Sequence, residues 1–157
     1  MERTELIKLL GSDFGHLLGD QLMALTIFGE ARGETRDGKI AVGSVILERV
    51  EHRKWDGETI KEVCLMPYQF SCFLPNDPNY PRLKRIAKEW DASLLGSMSL
   101  YHCYAIARGL IDGTIPRDPI IKAEHATQYL TVDCEAAWEK KMRKVMTLGR
   151  HDFYKDA

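Results

Sequence analysis

Two glutamates, Glu30 and Glu34, stand four residues apart in the stretch IFGEARGE (27–34), where an apolar run ends at Gly33. A glycosidic bond breaks more readily when its bridging oxygen receives a proton. The donor must hold that proton near neutral pH, which a carboxyl does when it is partly desolvated. Leu25, Ile27 and Phe28 can wall one side of such a carboxyl, and a turn at Gly33 opens the other to a substrate. Glu30 is therefore the first candidate acid. Glu34 is the secondary one, and it shares the face of Glu30 only if the helix runs on through Gly33. Its alternative is a surface ion pair with Arg32 or Arg36, worth under about 1 kcal/mol. Arg32 could instead bind a carboxylate or acetamido oxygen of a ligand.

A second polar group sits in PYQFSCF (67–73), read as a short β-prone piece. Gln69 and Ser71 can bond sugar hydroxyl and N-acetyl groups, and Phe70 can stack on a sugar ring or belong to the core. The five histidines show no H-E-x-x-H or other metal spacing, and there is no G-x-S-x-G or glycine-rich phosphate loop. No metal and no organic cofactor are expected. Cys64, Cys72, Cys103 and Cys134 form no C-x-x-C pair. Free, mostly buried thiols are expected, with a Cys64–Cys72 bridge as the alternative after export.

These residues need a scaffold. Residues 2–10 predict a short helix, and Ser12 or Asp13 caps a second one carrying Phe14, Leu17 and Leu18. Asp20 caps a third, whose apolar residues cover more than one face and predict deep burial. After the Asp37–Gly38 turn, residues 39–55 read as a helix. Gly43 within it costs about 1 kcal/mol against Ala, which a close neighbouring helix would justify. Short helix 59–66 stops at Pro67, and 74–81 is a proline-rich loop. Leu83, Ile86, Ala87, Trp90 and Leu94 mark one amphipathic helix, and Leu100 to Ile111 another. Residues 114–119 form a loop and 126–132 a strand. CEAAWEKKMRKVM (134–146) reads as a helix, and Gly149 as a turn between two extended pieces. The expected architecture is α+β, predominantly helical, with a small β component.

At 157 residues, 45% hydrophobic and 29% charged, the chain fits one domain with a single core. A net charge of −1 excludes a bulk attraction to nucleic acid or anionic lipid. The basic clusters 82–88 and 139–144 read as solvated helix faces. No apolar run reaches the ~18–20 residues of a membrane span. The N-terminus lacks the apolar core of a signal peptide, so the chain is expected to be made in the cytoplasm and to need release or delivery to act outside.

Taken in order, several motifs resemble a known family. IFGEARGETRDGKIAVGSVILERV resembles the opening of the bacterial and phage cell-wall hydrolases that include the spore cortex-lytic enzymes. PYQFSCF sits where that family has a Gln-Phe-Ser segment. ARGLIDGTIPRDPIIKAEHATQYL is similar to its helix, Pro-Asp-Pro loop and Thr-His-Tyr strand, and LGRHDFY to the Gly-x-His-x-Phe-Tyr ending of many phage-borne members. The resemblance covers residues 22–154 and leaves 1–21 as an N-terminal helical extension within one catalytic domain, 1–157.

The resemblance implies a lysozyme-like fold with the β component lining a glycan cleft. It also implies cleavage of peptidoglycan between N-acetylmuramic acid and N-acetylglucosamine, with Glu30 as general acid; a monomer is expected. As a lytic transglycosylase the enzyme needs one acid/base. As a muramidase it needs a second carboxyl roughly 5–9 Å away, for which Glu34 is the nearest candidate. Gln69, Ser71, Thr127 and Tyr129 would line the cleft, with Phe70 in support. Gln128 stands where the family has His; it can bond an acetamido group but cannot titrate. That change keeps open a catalytically impaired wall-binding or virion structural protein. For a phage-type enzyme, the lack of a signal peptide fits an endolysin released through a holin, or a lysin carried in the virion.

Overall fold

The computed structural model describes residues 1–53 and 56–157. Among these, eight α-helices precede and surround a three-stranded antiparallel sheet. The helices are α1 (Arg3–Phe14), α2 (Gly19–Ala31), α3 (Arg36–His52), α4 (Ile60–Leu65), α5 (Tyr80–Lys88), α6 (Trp90–Gly96), α7 (Met98–Asp112) and α8 (Pro119–Glu124). The strands are β1 (Gln128–Thr131), β2 (Met142–Leu148) and β3 (His151–Asp156), in the order β1-β3-β2. The expected α+β, mainly helical fold is the one observed.

Helix α2 is the axis of the helical body. Every residue from Leu22 to Phe28 is buried, Thr26 included, because its hydroxyl bonds back to the Leu22 carbonyl at 2.8 Å. It packs on α3, α4 and α7. Gly43 of α3 is the close approach its position implied: a Cβ there would lie 2.5 Å from Leu110 Cδ1 and 3.1 Å from Met23 Cε. Helix α1 adds Leu6, Leu10 and Phe14 to the same core, where Phe14 meets Phe73 and Tyr80 edge-on.

Several elements differ from expectation. Helix α1 runs through Gly11 to Phe14, so Ser12 and Asp13 cap nothing new. Helix α2 starts one residue before Asp20, and its Gln21 side chain accepts the Leu18 N–H at 2.8 Å. The amphipathic stretch 83–94 breaks at Glu89 (φ −127°, ψ 55°) into α5 and α6. Residues 119–124 form α8, begun by Pro119 and capped by Asp118, which accepts the Ile120 and Ile121 N–H groups. Residues 137–141 are a short 3₁₀ turn, and 142–148 pair with β3 as a strand. Of the helix expected over 39–55, Lys54 and Trp55 lie outside the described residues.

The hairpin β2–β3 turns at Gly149, whose φ of +59° suits glycine. In the β1–β3 register Tyr129 faces Phe153 and Thr131 faces His151. The face bearing Tyr129, His151 and Phe153 turns toward the C-terminal end of α2, since Tyr129 reaches Glu30 and His151 reaches Glu34.

Candidate active site

Glu30 sits on the last turn of α2, half-buried, with both carboxylate oxygens engaged. Tyr129 Oη donates to Oε1 at 2.5 Å. Ser71 Oγ and the Cys72 backbone N–H both donate to Oε2 at 3.2 Å. The donors come from β1 and from a 3₁₀ turn at Ser71–Phe73, so three donors from two separate segments fix one carboxyl. Burial, reinforced by the charge of Glu30 and the bond to it, pushes the Tyr129 phenol well above its ordinary range. Tyr129 is therefore a lasting proton donor to this carboxyl. The same causes hold the Cys72 thiol well above 9, which leaves it unreactive.

The Ser71–Cys72 turn corrects the extended reading of residues 68–73. Aromatic, β-prone residues there form a turn entered through Tyr68 at φ +67°. The Glu30 carboxylate, more than 40 residues away in sequence, satisfies its backbone and hydroxyl. Gly29 makes this possible. A Cβ at Gly29 would lie 2.8 Å from both Cβ and Sγ of Cys72 and 3.1 Å from Leu83 Cδ1. Gly29→Ala should push the turn away from α2, lower stability by about 1–3 kcal/mol and loosen the grip on Glu30. Thermal melting and a wall-clearing assay check this: a lower melting temperature with at least tenfold less clearing is expected. Full clearing activity would show that the close approach is not needed.

Glu30 opens into a cleft of about 410 Å³. Gln69, Ser71, Gln128 and Tyr129 line it with Glu30, as do Arg49, Tyr68, Leu130 and Trp138. Five of the residues singled out from the sequence thus meet in one groove, and the rest lie elsewhere. Thr127 is fully buried behind β1, where its carbonyl serves Arg49. Phe70 is buried beneath the cleft, between Arg49 and Tyr129. Arg32 stacks on Phe28 and bonds Asn79 at 2.7 Å, on the wall of a different groove that includes Arg82 and Arg85.

Glu34 has a structural partner. It accepts the Arg150 N–H at 2.8 Å and faces His151 Nδ1 at 3.4 Å, tying the turn after α2 to the β2–β3 hairpin. Its oxygen lies so close to Gly149 that a Cβ there would approach to 2.6 Å. Among the described residues, Glu30 is the one carboxylate lining the cleft.

Two residues of this region escaped the sequence reading. Arg49 is fully buried; its Nε donates to Thr127 O at 2.6 Å, its Nη2 to Gln128 Oε1 at 2.9 Å, and its guanidinium lies 4.7 Å from the Phe70 ring centre. His151 is buried against Tyr129, with ring centres 4.9 Å apart. Its burial lowers its pKa below 6.5, outweighing the opposing pull of Glu34 and Glu30, with Arg150 adding to the lowering. The folded state thus favours neutral His151. The unfolded chain takes up the proton first, so stability falls as pH drops from about 6.5 through the folded value. His151→Gln should lose less melting temperature than the parent between about pH 7.5 and pH 5. An identical loss would assign the acid sensitivity to other groups.

One further group of ligand-type side chains, Glu48, His52 and His125, comes together outside the cleft. The cysteines are free, with Cys64, Cys72 and Cys103 buried and Cys134 exposed.

A carboxyl clamped by a tyrosine, a serine and a backbone amide, at the floor of a groove between helices and a small sheet, is equipped for proton transfer to a bound polymer. The family model for cell wall hydrolases matches residues 33–154, most of the chain, beginning three residues after Glu30. The chain belongs to the cell wall hydrolase family. Among curated relatives, this cell wall hydrolase is 34% identical over 80 residues to a spore cortex-lytic enzyme of Oceanobacillus iheyensis. That stretch is 46% of this chain and 29% of the relative's length. Among solved structures it resembles the catalytic domain of Bacillus cereus SleB, with a TM-score of 0.55 over 87% of this chain and 89% of the other. It also resembles the catalytic domain of the germination-specific lytic transglycosylase SleB of Bacillus anthracis, with a TM-score of 0.58 over 90% and 98%. Both structures are 23% identical in sequence, so the likeness is one of fold.

Proposed function

We propose that this cell wall hydrolase cleaves the glycan strand of peptidoglycan between N-acetylmuramic acid and N-acetylglucosamine, as a lytic transglycosylase. The observation that carries the reading is Glu30, the single carboxylate lining the cleft among the described residues, while Glu34 is engaged with the hairpin. The similar Bacillus anthracis catalytic domain is that of a lytic transglycosylase, which supports the same chemistry.

In this reading the protonated Glu30 gives its proton to the bridging oxygen as the bond from that oxygen to the muramic C1 breaks. The carboxylate so formed then takes the proton of the muramic 6-hydroxyl as O6 bonds to C1. The product is a 1,6-anhydro ring and the acid is restored, with no water consumed. Tyr129, Ser71 and the Cys72 amide keep the carboxyl aimed through both steps. Gln69 and Gln128 offer amides to the acetamido groups and Trp138 a face for a sugar ring.

Mass spectrometry of muropeptides released from purified walls tests this. Anhydro-muramic ends are expected. Reducing muramic ends would assign the reaction to water and make the protein a muramidase. The Gly-x-His-x-Phe-Tyr ending supports a phage-type enzyme, and we read it as a monomer delivered to the wall through a holin or in the virion. Its presence in purified particles would select the virion route, and its confinement to the lysate the holin route.

A further inference from the structure

Outside the cleft lining, Glu48 and His52 stand four residues apart on α3, one turn above the other. His125, between α8 and β1, completes the group. Its Nδ1 lies 2.9 Å from Glu48 Oε1, and His52 Nε2 lies 3.6 Å from the same oxygen. The two imidazole rings are 4.2 Å apart, and the three ligand atoms all lie within 4.8 Å of one another. A zinc-type ion bound at ~2.0–2.1 Å by tetrahedral N and O donors separates those donors by about 3.3 Å. The two Glu48 distances bracket that value. Only the exposed His52 and His125 rings need to move to meet it.

The surroundings suit a cation. Glu48 is buried, and its second oxygen is held by Arg117, whose other nitrogen pairs with Glu51. That partner fixes the carboxylate and leaves Oε1 free to face the imidazoles. Glu48 and Glu51 against Arg117 leave a net charge of −1 when the imidazoles are neutral. His125 caps α8 in the left-handed region (φ 54°, ψ 48°), a conformation that Asn adopts as well as His. The cap therefore does not itself call for an imidazole, whereas a third ligand does. No metal spacing shows along the chain because His125 lies far from the Glu48–His52 pair.

We infer that Glu48 Oε1, His52 Nε2 and His125 Nδ1 form a binding site for one divalent transition ion of the zinc class, which ties the end of α3 to the turn leading into β1. Two histidines, a carboxylate and solvent in the fourth position match that ion's chemistry. His125 lies two residues before Thr127, whose carbonyl Arg49 holds, so the ion would brace the turn leading into the strand that carries Tyr129.

The test uses the full chain, stripped with a chelator and titrated with Zn²⁺ by calorimetry and with Co²⁺ by absorption spectroscopy. One ion per chain at micromolar or tighter affinity is expected, with the intense visible bands of four-coordinate cobalt. The melting temperature should rise by roughly 5 °C or more at hundredfold excess over Kd. His125→Asn and His52→Gln should each weaken binding at least tenfold while leaving the metal-free melting temperature near that of the parent. Absence of saturable binding, the pale spectrum of six-coordinate cobalt, or undiminished binding by both variants would overturn the site.

Discussion

Glu30→Gln should abolish clearing of purified walls, by about 10³-fold or more, while wall binding and melting temperature stay close to those of the parent. A general acid alone is worth roughly 10²–10⁴ in rate. Here the same group also receives the proton of the closing hydroxyl, so its loss touches both steps. About 10³-fold corresponds to roughly 4 kcal/mol of transition-state stabilisation. Glutamine preserves the shape and most of the hydrogen bonding. Its amide oxygen can accept from the Cys72 N–H, a donor only, while its NH₂ meets Tyr129 Oη, which can turn to accept. The fold should therefore survive and only the exchangeable proton be lost. Clearing by the variant at the parent's rate would remove Glu30 from the mechanism, whatever its position in the cleft.

Arg49→Met should have the second-largest effect, and on two readouts at once. Methionine replaces the aliphatic volume but leaves the buried Thr127 carbonyl and the Gln128 amide oxygen without their donor. The unsatisfied buried Thr127 carbonyl costs about 1–3 kcal/mol, and the part-buried Gln128 oxygen can turn to water at less cost. Losing the stack on Phe70 adds on the order of 1 kcal/mol. Relief of the arginine's own desolvation, which lowers its pKa, offsets part of this. A net loss of about 2–3 kcal/mol is expected. Because both bonds hold the start of β1, Tyr129 should lose its aim at Glu30 and clearing should fall at least tenfold. Arg49→Lys keeps the charge without the fork and should fall between parent and Arg49→Met. A variant that melts lower yet clears walls at full rate per folded molecule would confine Arg49 to stability.

The helical body and the place of Glu30 at the end of α2 were legible because local physics decides them. The apolar residues of α2, α3 and α7 recur at helical spacing, and Gly43 marked a close approach that exists. What escaped was set by distant partners. Residues 134–146 are rich in Ala, Glu, Lys and Met and have helix-spaced apolar residues, yet pairing with β3 draws 142–148 into a strand. The Ser71–Cys72 turn exists because Glu30 accepts from it, which no window of neighbouring residues can show. Arg49 gave no signal, since a lone arginine in a helix reads as solvated until a carbonyl and an aromatic ring are seen to enclose it. Arg32, by contrast, sat beside the acid in sequence but lies on another groove, as the helical turn after Glu30 directs it. His151 was present in the quoted ending LGRHDFY but carried no role until the register placed it against Tyr129.

The strand order β1-β3-β2 bears on when the molecule becomes active during synthesis. The middle strand is made last of the three, so β1 has no neighbour on which to form until residues 151–154 have been added. A nascent chain that has left the ribosome as far as the Gly149 turn already carries Glu30 and all eight of its described α-helices. It lacks the strand against which Tyr129 is laid down. The Tyr129–Glu30 contact therefore forms late in translation, and a product truncated within the hairpin would be a largely helical body whose cleft lacks its sheet wall.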